Sequence, residues 1–240
     1  MGTAIFKQKN ALYALIAVSD CGLISVEQLD GLNRLVQAAN VKGLKMTTRQ
    51  TLILLAEEDE IANLTTGLER IGFKIGTFSN TVRNVKACSG NDDLCPRAVG
   101  DALGLGIAIQ EKYYGQQVPH DFKIATAGCS RGCTDPLCAD FGVMCKNSGS
   151  FDIYIGGKGS GRKPLHGQML AAGVSYDQVF FSLEFVLNRY QELASGKERL
   201  HNTIDRVGID KFIPPLESHE AAAAVDEDFL NMLNSEGASK

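Results

Sequence analysis

Six of the seven cysteines in this 240-residue chain fall between residues 88 and 145. They are Cys88, Cys95, Cys129, Cys133, Cys138 and Cys145, with Cys21 standing apart. Buried cysteines that act only as small hydrophobes scatter through a core and do not bunch in this way. A metal or iron–sulfur site accounts better for the clustering, and spacing separates the two. Cys88-x6-Cys95 and Cys129-x3-Cys133 do not repeat the tight Cys-x2-4-Cys knuckle of a zinc ribbon. They also differ from the Cys-x2-Cys-x2-Cys run of a bacterial ferredoxin. Two separated pairs of unequal spacing suit a cubane cluster held between two loops, which favours iron–sulfur over zinc. Cys138 and Cys145 are extra to the four and read as packing or redox-inert thiols, with a second metal or a sensor thiol as alternatives. Cys21 reads as structural.

Basic residues gather beside the same loops. Arg49 interrupts an apolar strand-like run, Lys123 opens the strand leading to Cys129, and Lys158, Arg162 and Lys163 line the glycine-rich segment after residue 155. A buried cation needs a partner, so Arg49 meets either an anion or one of the chain's own acids. The glycine-rich segment contains no GxxxxGK[ST] pattern and could equally be a surface turn. Together with a cluster, these groups suggest a site for a polyanionic cofactor and an oxyanion.

The elements that must position these residues are legible in outline. Residues 11–18 read as a buried strand. Ser25-x-x-Gln28 is a capping box, and Val26, Leu29, Leu32 and Val36 repeat at helical spacing behind it. Residues 44–55 read as one strand entering a core. Ile61, Leu64, Leu68 and Ile71 mark a second helix, with a short strand near 73–78 after it. This β-α-β-α-β order suggests a ferredoxin-like half domain. Beyond it come the first cysteine loop, a helix from about Asp101 to Tyr114, strands at Phe122–Ala127 and Phe151–Ile155, and helices over 176–194 and about 197–207. No internal repeat is visible.

Composition excludes whole classes. With 44% apolar and 22% charged residues the chain is a globular protein, long enough to bury a core. No window approaches the roughly 20 apolar residues of a membrane helix. The formal charge of −4 is concentrated at the C-terminal end, where residues 216–240 hold six acids against the single base Lys240. The near-neutral body does not suggest a nucleic-acid partner. The tail is expected to be mobile or to dock through Phe229, Leu230, Met232 and Leu233. The start lacks the apolar run of a signal peptide, and an odd cysteine count argues against a disulfide framework, so a reducing, cytoplasmic compartment is expected.

Several segments resemble the sirohaem and [4Fe-4S] domain of sulfite and nitrite reductases: Asn84-Val-Lys-Ala-Cys-Ser-Gly with Cys95, Gly100-Asp-Ala-Leu-Gly-Leu-Gly, Pro119-His-Asp-Phe-Lys-Ile-Ala-Thr-Ala-Gly-Cys-Ser-Arg-Gly-Cys133, and Asp140-Phe-Gly. Upstream, Met46-Thr-Thr-Arg-Gln50 resembles a strand of the family's ferredoxin-like half domain. Downstream, Gly156-Gly and Glu198-Arg-Leu resemble its closing segments. The resemblance spans about residues 10–212 and implies an α+β fold: a ferredoxin-like half domain over 1–78, a sirohaem/[4Fe-4S] domain over 79–215 and an acidic tail over 216–240.

It further implies that Cys88, Cys95, Cys129 and Cys133 ligate the cubane, with Cys133 bridging to the sirohaem iron. The cofactor's carboxylates would fall to Arg49, Arg83, Lys86, Arg97, Lys123, Arg131, Lys158, Arg162 and Lys163. Arg49, Lys123 and His120 would be catalytic in reducing sulfite to sulfide or nitrite to ammonia. An electron-transfer or tetrapyrrole-binding protein on the same fold is the alternative. Three departures stand out: the first cysteine pair encloses six residues where the family usually has five, Ile16-Ala-Val-Ser19 carries no base, and Asp121 replaces a cation. Family members of about twice this length pair two such units, so a homodimer is expected, with Arg49 and Lys123 of one subunit facing the partner's sirohaem. Electrons would come from an external protein donor such as a ferredoxin.

Overall fold

The computed structural model describes residues 2–159 and 161–216; the apolar positions expected to dock in the tail lie outside the described residues. Strands β1 (Gly2–Thr3) and β2 (Ile5–Lys7) lead into β3 (Tyr13–Val18) and then helix α1 (Val26–Ala38). The helix start follows the sequence pattern. The Ser25 hydroxyl accepts from the Gln28 amide at 3.1 Å, and Gln28 Oε1 accepts from the Ser25 amide at 3.0 Å. Its apolar stripe is only half used: Leu32 is buried, whereas Val26 and Leu29 are 78% and 59% exposed.

Residues 44–55 form two strands, not one. β4 (Gly43–Met46) and β5 (Thr51–Ala56) pair antiparallel around a tight turn. No glycine or proline marks that turn, so hydrophobic patterning runs straight through it. The Thr47 hydroxyl accepts from the amides of Arg49 and Thr51, each at 3.2 Å, and Gln50 adopts a left-handed φ of 59°. A glutamine stays in that region only where its surroundings hold it. Here Gln50 Nε2 donates to the Ala87 carbonyl at 2.7 Å and its Oε1 accepts from the Ala87 amide at 3.0 Å. These are the two bonds a neighbouring strand would make. Arg49 therefore rides on a turn clamped to the second half of the molecule.

Helix α2 (Ile61–Arg70) and strands β6 (Lys74–Ile75) and β7 (Thr77–Phe78) follow, β7 pairing with β1. The antiparallel order β6-β3-β5-β4, with α1 and α2 packed through Leu32, Leu64 and Leu68 onto Leu15, Leu54 and Phe73, is the ferredoxin-like β-α-β-β-α-β arrangement.

The second sheet runs β12-β11-β10-β9-β8, built from β8 (Lys86–Ala87), β9 (Ile124–Ala127), β10 (Phe141–Asn147), β11 (Ser150–Ile155) and β12 (Gln168–Val174). β8, β9 and β10 are parallel, and the rest are antiparallel. β10 and β12 had no clear sequence signal. β10 carries Gly142 because a Cβ there would stand 2.1 Å from the Pro136 carbonyl oxygen. Helices α3 (Ala102–Tyr113), α4 (Tyr176–Leu193) and α5 (Leu200–Val207) complete this half.

The halves are also joined through Gln110 on α3, which is buried. Its Nε2 donates to the Ser19 carbonyl at 2.9 Å, and its Oε1 accepts from the Val85 amide at 3.0 Å. Gln110→Leu keeps the bulk but orphans two buried backbone groups. It should cost roughly 2–5 kcal/mol, read as a shifted midpoint in urea unfolding.

Candidate functional site

β8 and β9 are adjacent and parallel, so the chain leaves both at the same edge of the sheet, where α/β folds place ligands. Cys88 follows β8 directly, and Cys129 follows β9 after one glycine. The two loops meet glycine to glycine. A Cβ on Gly90 would lie 2.7 Å from Gly128 Cα and 2.8 Å from Cys88 Sγ, so only glycines permit this approach. Cys88, Cys95, Cys129 and Cys133 all line one cavity of about 310 Å³, shared with Arg97 and Arg131. The seven-residue step from Cys88 to Cys95 is thus absorbed in the loop.

The Gly128 amide donates to Cys88 Sγ at 3.1 Å. Burial raises the Cys88 thiol above its ordinary pKa, while the amides of Gly128 and Gly90 pull it down. Amides aimed at sulfur are the donors a cluster thiolate uses. Among the described residues, no three His, Cys, Asp or Glu side chains are arranged to hold a single metal ion. Four thiols around a cavity of this size instead fit a group larger than one ion, such as a cubane cluster.

Strand alternation builds the second part. Ala87 and Thr126 face α3, where a Cβ on Gly106 would meet them at 2.7 and 2.9 Å. Lys86 and Ala125, partners in register, face the opposite way, as does Lys123. That face opens on a cavity of about 330 Å³ lined also by Arg49, Asp135, Cys138 and Arg199. Four cations stand here against one acid, and that acid, Asp135, pairs with Lys86 at 3.2 Å. Such a donor set fits a polycarboxylate or an oxyanion.

Arg49 is anchored on both sides of the turn. Its Nη2 donates to the Asn84 carbonyl, and Asn84 Nδ2 donates to the Arg49 carbonyl at 2.6 Å. The buried Nε has no partner among the described residues. Burial, and then the charge of Arg83, lowers the Arg49 pKa to about 10, which leaves it cationic at neutral pH. Burial, followed by repulsion from Arg199, lowers the Lys123 pKa as well.

Not every expected residue arrives. Arg83 lines neither cavity. It pairs with Asp121 at 3.0 Å, both side chains less than one-fifth exposed, so the unexpected acid is neutralised rather than turned on a ligand. The base-free first strand presents Ile16 and Val18 to a smaller cavity shared by Arg49 and Arg83. His120 lines neither main cavity, and its Nδ1 is buried without a partner among the described residues. Arg162 and Lys163 are exposed near the tip of a hairpin closed by the Lys158–Leu165 pair, and Lys158 lines neither cavity. The glycines of that segment serve packing: a Cβ on Gly157 would stand 2.2 Å from the Leu137 carbonyl oxygen.

Cys138 and Arg199 line the cationic cavity although the sequence did not place them there. Cys138, read as packing, lines the cationic cavity, whereas Cys21 and Cys145 are core thiols that burial pushes up to about 12. Arg199 is the other. Its only sequence signal was the Glu198-Arg-Leu segment, which carried no charge pattern pointing to the cysteine loops. Arg49 and Lys123 line the same cavity within one chain.

Comparison with known proteins matches residues 78–222 to the family described as the nitrite and sulphite reductase 4Fe-4S domain, and residues 6–70 to the nitrite/sulfite reductase ferredoxin-like half domain. The nitrite reductase (NADH) large subunit of Escherichia coli K12 is 30% identical over 85% of this chain, which spans only 24% of that subunit. The assimilatory-type sulfite reductase of Nitratidesulfovibrio vulgaris is 27% identical over 86% of this chain and 93% of its own length. Among solved structures, the Mycobacterium tuberculosis NirA protein superposes with a TM-score of 0.74 at 21% identity, covering 88% of this chain and 41% of that one. Dissimilatory sulfite reductase I superposes with a TM-score of 0.75 at 13% identity, covering 88% and 73%.

Proposed function

The chain belongs to the nitrite and sulphite reductase family, and on that premise we propose that it reduces a small oxyanion by six electrons, sulfite to sulfide or nitrite to ammonia. The observation that carries the proposal is that the loops leaving β8 and β9 form a four-cysteine cavity, while one face of the same two strands opens on a cavity lined by Arg49, Lys86, Lys123 and Arg199. Cys88, Cys95, Cys129 and Cys133 would hold a [4Fe-4S] cluster, and the cations would hold sirohaem carboxylates. When bound, sirohaem supplies an iron that takes the oxyanion and the cluster supplies electrons to it.

The chain's own residues do the rest. Arg49 and Lys123 draw the anion in and offset its desolvation. Lys123 Nζ, with its pKa lowered, is a proton donor placed in the same cavity; the oxygens removed leave as water. Electrons would arrive from a separate protein such as a ferredoxin. Among the described residues no helix is long and apolar enough to cross a membrane. A cytoplasmic homodimer remains part of the proposal, and sedimentation of the purified chain measures the dimer.

The test is the visible spectrum and iron content of anaerobically purified protein, followed by turnover of sulfite and nitrite with a strong artificial donor. A reduced-chlorin band, cluster absorption and turnover are expected. Full loading without turnover would leave an electron-transfer or tetrapyrrole-binding protein, and cluster absorption without the chlorin band would end the reductase proposal.

A further inference from the structure

We propose that Arg199 is an anion-contacting residue of the cationic cavity, and that the buried Asp140 is the positioning residue that holds both Arg199 and Lys123 at its wall. The inference deepens the proposed function: it rests on the cavity being an anion site and adds residues to it.

Asp140 is fully buried, at 0% exposure, just before β10. A buried carboxylate is costly unless its oxygens are filled, and here three contacts fill them. Arg199 Nη2 donates to Oδ1 at 3.1 Å and to Oδ2 at 2.9 Å, and the Lys123 backbone amide donates to Oδ2 at 2.9 Å. One side chain thus ties β10 to the residue that opens β9 and to the residue that precedes α5. The two residues it fixes are cations of the same cavity, 76 positions apart in the chain.

The remaining donors of Arg199 are what make it more than a strut. Nη2 is the nitrogen that meets Asp140, and the buried Nε has no partner among the described residues. A guanidinium held at one corner, with donors to spare beside a cavity, is preorganised for an anion. Asp140 offsets the charge of Arg199, as Asp135 offsets that of Lys86, which leaves Arg49 and Lys123 as the uncompensated charges. Arg199 therefore contributes direction more than net attraction. A purely structural ion pair would need Asp140 and Arg199 but would have no reason to set the guanidinium against a cavity that Arg49, Lys86 and Lys123 also line.

The experiment measures sulfite binding calorimetrically, with sulfate as a second probe, on the full chain as purified and on Arg199→Gln, Arg199→Lys and Asp140→Asn, with thermal melting in parallel. Arg199→Gln should weaken sulfite binding roughly tenfold to a hundredfold. Arg199→Lys should keep the fold and restore only part of the affinity, since an ammonium cannot hold Asp140 and reach the anion together. Asp140→Asn should weaken binding similarly, and the double variant Asp140→Asn/Arg199→Gln should bind no worse than Arg199→Gln alone. Unchanged sulfite affinity in Arg199→Gln and Arg199→Lys, with only the melting temperature moved, overturns the inference, as does a wild-type chain that binds neither anion. An Arg199-dependent affinity in a chain that carries no chlorin would uphold the inference while the reductase proposal falls. Reductase turnover with Arg199-independent binding would do the reverse.

Discussion

Cys129→Ser protein should emerge from anaerobic purification colourless, with its iron content reduced by at least about tenfold, and the same is expected of Cys88→Ser, Cys95→Ser and Cys133→Ser. A serine hydroxyl is a poor donor to cluster iron near neutral pH because, unlike a thiol, it does not ionise there, and iron–sulfur clusters are held by thiolates. The four positions form one cavity, so each loss should be near-complete rather than graded. Cys138→Ser and Cys145→Ser are the controls. Cys138 lines the other cavity and Cys145 lies in the core, so both should keep full iron and cluster absorption. Retained iron in Cys95→Ser would break the proposed ligand set at the position where the loop carries its extra residue. Gly128→Val tests the scaffold instead of the ligands. It places side-chain atoms where Gly90 Cα stands within 2.7 Å, so it should separate the two loops and abolish cluster assembly with all four thiols present.

Removing one cation from the second cavity should be nearly as damaging to turnover while sparing the cluster. Lys123→Met is expected to lower turnover of sulfite or nitrite by about a hundredfold to a thousandfold, the usual range for losing one oriented donor at a reacting oxyanion. Iron content should be unchanged, because Lys123 lines the cationic cavity and not the cysteine cavity. The pH profile supplies an independent check. Burial and Arg199 hold the Lys123 pKa below the usual lysine value. The cationic form binds the anion and carries the proton, so activity should be present at low pH. It should fall as pH rises through that lowered pKa, earlier than an ordinary lysine would allow. Lys123→Arg should carry the alkaline limit upward while costing proton transfer. A Lys123→Met enzyme with wild-type turnover, or an alkaline limit unmoved by Lys123→Arg, would remove Lys123 from the reaction.

Much of this molecule is local in sequence and could be read there. The bunching of six cysteines between residues 88 and 145 favours an iron–sulfur site over zinc without reference to any other residue. Ser25 with Gln28 announces α1 because a capping box is complete within four residues. The order of apolar runs suggested the ferredoxin-like half domain, although it merged β4 and β5 into one strand.

Tertiary structure decided what depends on residues far apart in the chain. The turn at Arg49 needs no glycine because Gln50 is held by Ala87, 37 positions on, so no local propensity could reveal it. Arg49 lines the cationic cavity on that same clamped turn. Asp121 looked like an acid facing an anion, and only the fold brings Arg83 against it, 38 positions away. Arg199 was not expected at the cavity because only the fold brings it onto the buried Asp140 carboxylate, which also accepts from the Lys123 amide. Residue chemistry is written in the sequence one position at a time, whereas burial and pairing are properties of the packed chain, and these choose which of 24 Lys and Arg residues meet at the site.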